Sequence, residues 1–78
     1  MREKHTEQKL IADAKARGGL AVKFVSPGFD GMPDRAVLLP GGHIGFVEVK
    51  APGKVPRPQQ RARLRLLAGL GFKAYVLD

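Results

Sequence analysis

The pattern of apolar and polar positions along the chain predicts two helices and four strands. Stretches of good helix formers without internal Gly or Pro indicate the helices, and short stretches that alternate or are rich in branched residues indicate the strands. In chain order, the predicted elements are a helix at 3–17, strands at 20–25, 35–39 and 43–50, a helix from 58 to 67 or 68, and a strand at 72–77.

The connections between these elements predict how the strands pair. The turn Pro40-Gly41-Gly42 joins the second and third strands into an antiparallel hairpin. The third and fourth strands are separated by a helix, so we expect them to be parallel. The expected fold is α/β, with the order α-β-β-β-α-β and a mixed four-stranded sheet flanked by helices.

Three charged residues converge at one end of the predicted hairpin. Asp34 opens the second strand, and Glu48 lies near the end of the third, so the short turn brings them together. The period of two along the third strand places Glu48 and Lys50 on one face, and Val47 and Val49 on the other. Two carboxylates and an ammonium in one place indicate a metal-dependent nuclease centre.

Simpler explanations exist for each of these residues taken alone. Asp34 after Pro33 is typical of a turn, and Glu48 with Lys50 is typical of a solvated ion pair on an exposed strand. The convergence of all three residues favours a metal-dependent nuclease centre over these simpler explanations.

Each helix adds one polar residue on its apolar stripe. Glu7 lies on the stripe of the first helix that should face the core, where a carboxylate requires a nearby cation. It also lies in an early turn, where negative charge suits the helix dipole without any further role, and both interpretations stay open. Gln60 shares the stripe of Leu64 and Leu67 and lies at the end of the second helix nearest to the site.

Composition limits the class of protein. The chain has 78 residues and no cysteine, which excludes disulfides and thiolate zinc sites, and His5 and His43 alone cannot make a zinc site. No apolar stretch approaches the length of a membrane span. We expect residues 1–78 to form one domain of a soluble, cytoplasmic protein, with the possibility that a C-terminal extension is missing.

The net charge is +7 and is unevenly placed, because residues 49–77 contain seven Lys or Arg and no acid. This asymmetry favours a polyanion, with nucleic acid before membrane, although solubility alone is an alternative explanation. The residues expected to hold a nucleic-acid backbone are Lys54, Arg57, Arg61 and Arg65.

Together, these residues resemble the virus-type replication-repair nuclease (VRR-NUC) domain of the PD-(D/E)xK nuclease superfamily. The resemblance covers nearly the whole chain. The matching pieces are Glu7, Gly31-Met32-Pro33-Asp34-Arg35, Phe46-Val47-Glu48-Val49-Lys50-Ala51-Pro52-Gly53, Gln60 and Gly71. One departure is Arg57, where a small hydroxyl residue is expected near the helix start.

The resemblance implies a site for Mg²⁺ or Mn²⁺, which prefer oxygen ligands. The implied metal ligands are Asp34, Glu48, the Val49 carbonyl and, through a water or directly, Glu7. Lys50 would orient the attacking water or stabilise developing charge, and Gln60 would hydrogen-bond that water or the phosphate. These side chains form the implied catalytic set.

The implied function is a structure-selective DNA endonuclease acting on branched DNA such as four-way junctions, in replication, repair or recombination. We expect a homodimer, because a small domain leaves apolar surface uncovered. The expected apolar surplus consists of Leu66, Leu70, Val37, Leu39, Val47 and Val49. If Val47 and Val49 instead pack under the helices, a monomer that nicks flaps is the better hypothesis. Two further hypotheses are a non-catalytic nucleic-acid-binding module and a subunit of a larger repair complex.

Overall fold

The structure, a computed structural model, describes residues 3–78. Met1 and Arg2, which the single-domain prediction includes, lie outside the described residues. The elements are α1 (Glu3–Ala16), β1 (Leu20–Lys23), β2 (Arg35–Leu39), β3 (His43–Val49), α2 (Pro58–Gly69) and β4 (Lys73–Leu77). The predicted order α-β-β-β-α-β is confirmed, and the largest difference in bounds is at β1, which ends two residues earlier than expected.

The four strands form one mixed sheet in the order β1-β2-β3-β4. β2 pairs antiparallel with β1 and β3, and β3 pairs parallel with β4, as the connections predicted. The β2–β3 turn contains Gly41 and Gly42, whose φ angles of 88° and 77° lie in the left-handed region that glycine adopts without steric cost. The tight turn fixes the register of the hairpin, and the register in turn positions the site.

Helix α1 covers one face of the sheet and forms the core with it. Val47 and Val49 are both 0% exposed, and Ala14 of α1 is buried in the same cluster. The buried members of the core are Ala14, Ala21, Val37, Val47 and Val49, with Leu10, Ile11, Leu39 and Leu77 packed against them.

This packing corrects part of the expected apolar surplus. Val37, Val47 and Val49 are buried beneath α1, and Leu39 packs against them, because α1 lies on their face of the sheet. Leu66 and Leu70 of the expected surplus are exposed. The expectation was therefore wrong for Val37, Leu39, Val47 and Val49, and the burial of Val47 and Val49 removes the strand surface on which a homodimer was expected. The opposite face of the sheet carries other exposed apolar residues.

Helix α2 meets the sheet at β4 and at the end of β3. Its buried residues are Gln60 and Leu67, which confirms the predicted stripe. Gln60 contacts Glu48, whose side chain lies on the face opposite Val47 and Val49, so the two helices flank the sheet. Neither helix in residues 3–78 is long and apolar enough to cross a membrane.

Truncation at the centre of the core should destabilise the protein strongly. Val47→Ala removes buried methyl groups under α1, and we expect a loss of about 2–3 kcal/mol in the free energy of unfolding. Val55, which is 72% exposed, offers the matched control. Val55→Ala should change the free energy by less than about 0.5 kcal/mol. Urea denaturation measures both, and equal effects in the two variants would contradict the assigned core.

Candidate active site

The hairpin register brings the two candidate carboxylates together. Arg35 pairs with Val47, so continuing the register places Asp34 opposite Glu48 and Pro33 opposite Val49. The Val49 N–H donates to Asp34 Oδ1 over 3.1 Å. A side chain therefore replaces the backbone acceptor at the point where β2 has ended.

The same register leaves the Val49 carbonyl without a backbone donor in β2. The amide and carbonyl groups of one residue in an antiparallel strand point toward the same neighbouring strand. The Val49 N–H is directed at β2, so its carbonyl is too, and the residue opposite is Pro33, which has no N–H. Pro33 is fully buried, which fixes this arrangement. The Val49 carbonyl is thus available beside the Asp34 carboxylate.

Glu48 is held by two neighbours that use the same oxygen. Its residue is only 4% exposed. Gln60 Nε2 donates to Glu48 Oε2 over 3.1 Å, and Lys50 Nζ lies 3.5 Å from that oxygen. Both contacts use Oε2, so they fix the orientation of the carboxylate and neither of them occupies Oε1.

The Gln60 side chain is itself oriented by the start of α2. Gln60 Oε1 accepts from the Arg57 N–H over 2.8 Å, which leaves the amide nitrogen to face Glu48. Arg57 is the N-cap residue, and its guanidinium has no acceptor with which to cap the helix. Gln60 supplies half of a capping box instead. The departure from the expected hydroxyl residue is therefore compensated locally.

Burial raises the pKa of both carboxyl groups. Desolvation is the largest cause for Asp34, with smaller increases from Glu7 and Glu3, and the hydrogen bond from Val49 opposes it. Desolvation also dominates the raised pKa of Glu48, followed by repulsion from Asp34, and Lys50 lowers it. Two desolvated carboxyl groups, of which Glu48 is further disfavoured as an anion by the charge of Asp34, favour a bound cation.

Glu7 lies near this centre and has a cation of its own. Glu7 Oε1 is 3.3 Å from Arg35 Nη2, and Arg35 Nη1 donates to the Ala21 carbonyl over 3.3 Å. Arg35 Nε is buried and has no hydrogen-bond partner among the described residues. The cation that Glu7 was expected to require is thus Arg35, to which no role had been assigned.

The donor set fits a hard divalent cation. Asp34, Glu48 and the Val49 carbonyl offer oxygen atoms, which Mg²⁺ and Mn²⁺ prefer. Across residues 3–78, no three side chains of His, Cys, Asp or Glu are grouped closely enough to hold a metal by themselves. Glu7 is therefore not part of a three-carboxylate cluster, and its direct ligation of a metal stays a prediction.

The basic residues predicted to contact nucleic acid are exposed. Lys54 lies in the proline-rich loop, Arg57 occupies the N-cap position of α2, and Arg61 and Arg65 follow on the helix. Arg61 Nε donates to the Pro56 carbonyl over 3.3 Å, which ties the helix to the loop. The structure brings these cations to the loop and helix that follow Lys50, and their contact with nucleic acid stays a prediction.

One contact near the site was missed by sequence reasoning. Arg63 of α2 stacks on Phe29 in the β1–β2 loop, with its Cζ 3.9 Å from the ring centroid. The sequence could have indicated this contact, because Phe29 is an aromatic residue in a loop of turn-forming residues, and turn geometry alone does not require one there.

Comparison with known proteins relates this arrangement to a nuclease domain. No family model matches the chain. A curated protein named "Putative nuclease p44", from Acyrthosiphon pisum secondary endosymbiont phage 1, is 49% identical over 78 residues, which is 100% of this chain and 84% of that protein. A solved structure described as a "VRR_NUC domain" is similar with a TM-score of 0.89 and 33% identity, over 95% of this chain and 81% of that chain.

The raised pKa values predict how stability depends on pH in metal-free protein. A carboxyl group whose pKa is raised by folding binds protons more tightly in the folded state, so stability falls as pH rises through that pKa. We expect the free energy of unfolding to decrease from about pH 4 upward and to level once both groups are ionised. Urea denaturation in EDTA at a series of pH values measures this free energy of unfolding.

The double variant Asp34→Asn, Glu48→Gln is the control, because it keeps similar shapes and removes both titrations. Its stability should lack this component of the pH dependence. The same pH profile in the wild type and the double variant would contradict the desolvated pair.

Proposed function

The chain belongs to the VRR-NUC family of nucleases, and from this premise we propose that it is a metal-dependent DNA endonuclease that uses Mg²⁺ or Mn²⁺. The observation that supports this most directly is that Asp34 and Glu48, both desolvated, lie opposite each other on the hairpin, beside a Val49 carbonyl that the register places opposite Pro33. The proposal treats residues 1–78 as a single nuclease domain acting on intracellular DNA in the cytoplasm.

In this proposal, the metal ligands are Asp34, Glu48 Oε1 and the Val49 carbonyl. When bound, the cation lowers the pKa of a water and neutralises charge on the scissile phosphate. Glu7 acts through an intervening water, because its carboxylate is already paired with Arg35. Arg35 then serves as a positioning residue that holds Glu7 at the edge of the site.

Lys50 and Gln60 have different roles. Lys50 places its ammonium 3.5 Å from Glu48, where it can orient the attacking water and stabilise charge that develops on the phosphate oxygens. Gln60 acts first as a positioning residue, since its amide links the α2 N-cap to Glu48. Its second amide hydrogen can still reach the attacking water or a phosphate oxygen.

The exposed basic residues suit the DNA backbone. Lys54, Arg57, Arg61 and Arg65 lie in the loop and helix that follow Lys50, and phosphate contacts of this kind position DNA without reading its sequence. This arrangement supports an enzyme that selects DNA by shape.

With Val47 and Val49 packed under α1, a homodimer needs an apolar surface other than the expected one, and the sheet face opposite α1 offers it. If that surface stays unpaired, a monomer that nicks flaps is the alternative. The register aligns Leu20, Leu38 and Ile44 on neighbouring strands, and continuing it adds Phe72. These four residues, which we call the apolar row, are 37–57% exposed and contain no charge. Two chains that each carry a charge of +7 can approach most easily at an uncharged surface. A second copy, paired by two-fold symmetry, is therefore the partner that we propose.

A two-fold dimer would carry two cleavage centres of opposite orientation. Strands of opposite polarity meet at a branch point, so two centres related by symmetry suit paired cuts. We therefore propose branched DNA, such as a four-way junction, as the substrate.

Removing either carboxylate should abolish cleavage and spare binding. Asp34→Asn and Glu48→Gln each remove a metal ligand and one negative charge, so we expect cleavage of a four-way junction to fall at least about 100-fold, with equal or tighter DNA binding. Cleavage is measured in Mg²⁺ or Mn²⁺, and binding in EDTA.

Lys50→Ala is the matched variant at the same site. It should lower turnover while the metal still raises the melting temperature, whereas Asp34→Asn should lose most of that increase. Full cleavage by both carboxylate variants would remove the site assignment. Loss of the metal-induced increase in Lys50→Ala would show that the role of Lys50 is wrong.

A charge in the apolar row should dissociate the dimer. Ile44→Lys places an ammonium on a surface that would face its own copy, and we expect a monomer near 8.4 kDa in place of a dimer. Light scattering after gel filtration measures the mass, with circular dichroism as a check of folding.

Val55→Lys is the control, because Val55 is more exposed than Ile44 and lies outside the row. It should stay dimeric. A monomeric wild-type protein that cuts a flap and ignores a four-way junction would overturn the dimer and the junction, and leave the nuclease proposal standing.

A further inference from the structure

Phe29 differs from the other phenylalanines in its surroundings. Phe24, Phe46 and Phe72 form successive edge-to-face contacts, with centroids 5.4 and 5.5 Å apart. Phe29 lies instead in the loop between β1 and β2 and is 41% exposed. Its ring contacts the Arg63 guanidinium, whose Cζ is 3.9 Å from the ring centroid.

A hydrogen bond and a glycine keep the Phe29 ring and the Arg63 guanidinium in place. Arg63 Nε donates to the Asp30 carbonyl over 2.8 Å, so the guanidinium is fixed to the residue that follows Phe29. Gly31, at φ 89°, lets the loop approach α2 closely, since an added Cβ there would lie 2.8 Å from Gln59 Cγ. The ring is therefore presented to solvent in a defined orientation.

The pair lies close to the proposed cleavage centre. Arg63 follows Gln60 by three residues, so the two share a flank of α2 and are separated by about 4.5 Å along the helix axis. Gln60 bonds to Glu48, and Asp34 ends the loop that carries Phe29.

A contact that only fastened the loop to α2 would not require an exposed ring. Aromatic rings and guanidinium planes both stack on nucleobases, and such stacking tolerates any base. Bases inside a duplex already have stacking neighbours, so the ligand suited to this pair is a base without one. Such bases occur in a single strand and at the exchange point of a junction.

We propose that Phe29 and Arg63 form a stacking platform for an unstacked nucleobase beside the proposed cleavage centre. This inference rests on the proposed function, because it takes the Asp34–Glu48 centre as the cleavage site. It adds the feature of DNA that the site selects: a base that has left the helical stack.

The test compares binding to a flap with binding to duplex in EDTA, where no cleavage occurs. The flap carries 2-aminopurine in its single-stranded arm, and the duplex of the same sequence is blunt. Phe29→Leu keeps an apolar side chain against Arg63 and removes the ring, so flap affinity should fall about 10-fold and duplex affinity should stay within about 2-fold. Phe29→Trp should bind the flap as well as the wild type does.

Tyr75→Leu is the matched control, because Tyr75 is exposed and lies on the other face of the sheet, in register with Val47. It should bind both DNAs normally. Arg63→Lys keeps the charge and removes the planar group, so it should also weaken flap binding selectively. This second variant tests the platform if Phe29→Leu fails to fold. Equal losses for flap and duplex, or no loss in either variant, would overturn the platform.

The two proposals fail in different ways. Phe29-dependent flap binding without cleavage in Mg²⁺ or Mn²⁺ would refute the catalytic function and leave a nucleobase-binding site. Metal-dependent cleavage with normal flap binding by Phe29→Leu and Arg63→Lys would refute the platform and leave the nuclease.

Discussion

The hydrogen bond from the Val49 N–H to Asp34 joins the fold to its chemistry. It satisfies a strand donor at the position where Pro33 ends the β2 ladder, and it holds one candidate metal ligand beside the Val49 carbonyl. A buried N–H without a partner would be costly, so the sheet itself requires an acceptor there. The carboxylate that finishes the sheet is thus also the one that the proposed cleavage needs.

The same arrangement sets stability against function. Burial raises the pKa of Asp34 and Glu48, so ionising either group costs the metal-free fold stability. Gln60 and Lys50 reduce this cost at Glu48 Oε2 without occupying its other oxygen. Functional centres commonly contain groups that destabilise the fold locally, with neighbouring residues that offset part of the cost, and this site shows the same pattern.

Local sequence patterns were sufficient to predict the hairpin, but they were insufficient to predict the packing between distant elements. The period of two and the short turn placed Asp34 beside Glu48, because both effects act over a few residues. The face that α1 covers depends on the whole core, so the sequence left open whether Val47 is exposed or packs under a helix. The pairing of Glu7 with Arg35 spans 28 positions, and no periodicity within one element can indicate it.

Charge at the site explains why metal and DNA should bind together. The carboxylates of Glu7, Asp34 and Glu48 face the cations Arg35 and Lys50, which leaves one net negative charge that repels a phosphate. A divalent cation in the proposed position reverses the sign to one net positive charge. Metal would then strengthen DNA binding at the centre, and by linkage DNA would strengthen metal binding equally. The basic residues of α2 do not enter this charge count, so in the proposed function they would hold DNA before a metal binds.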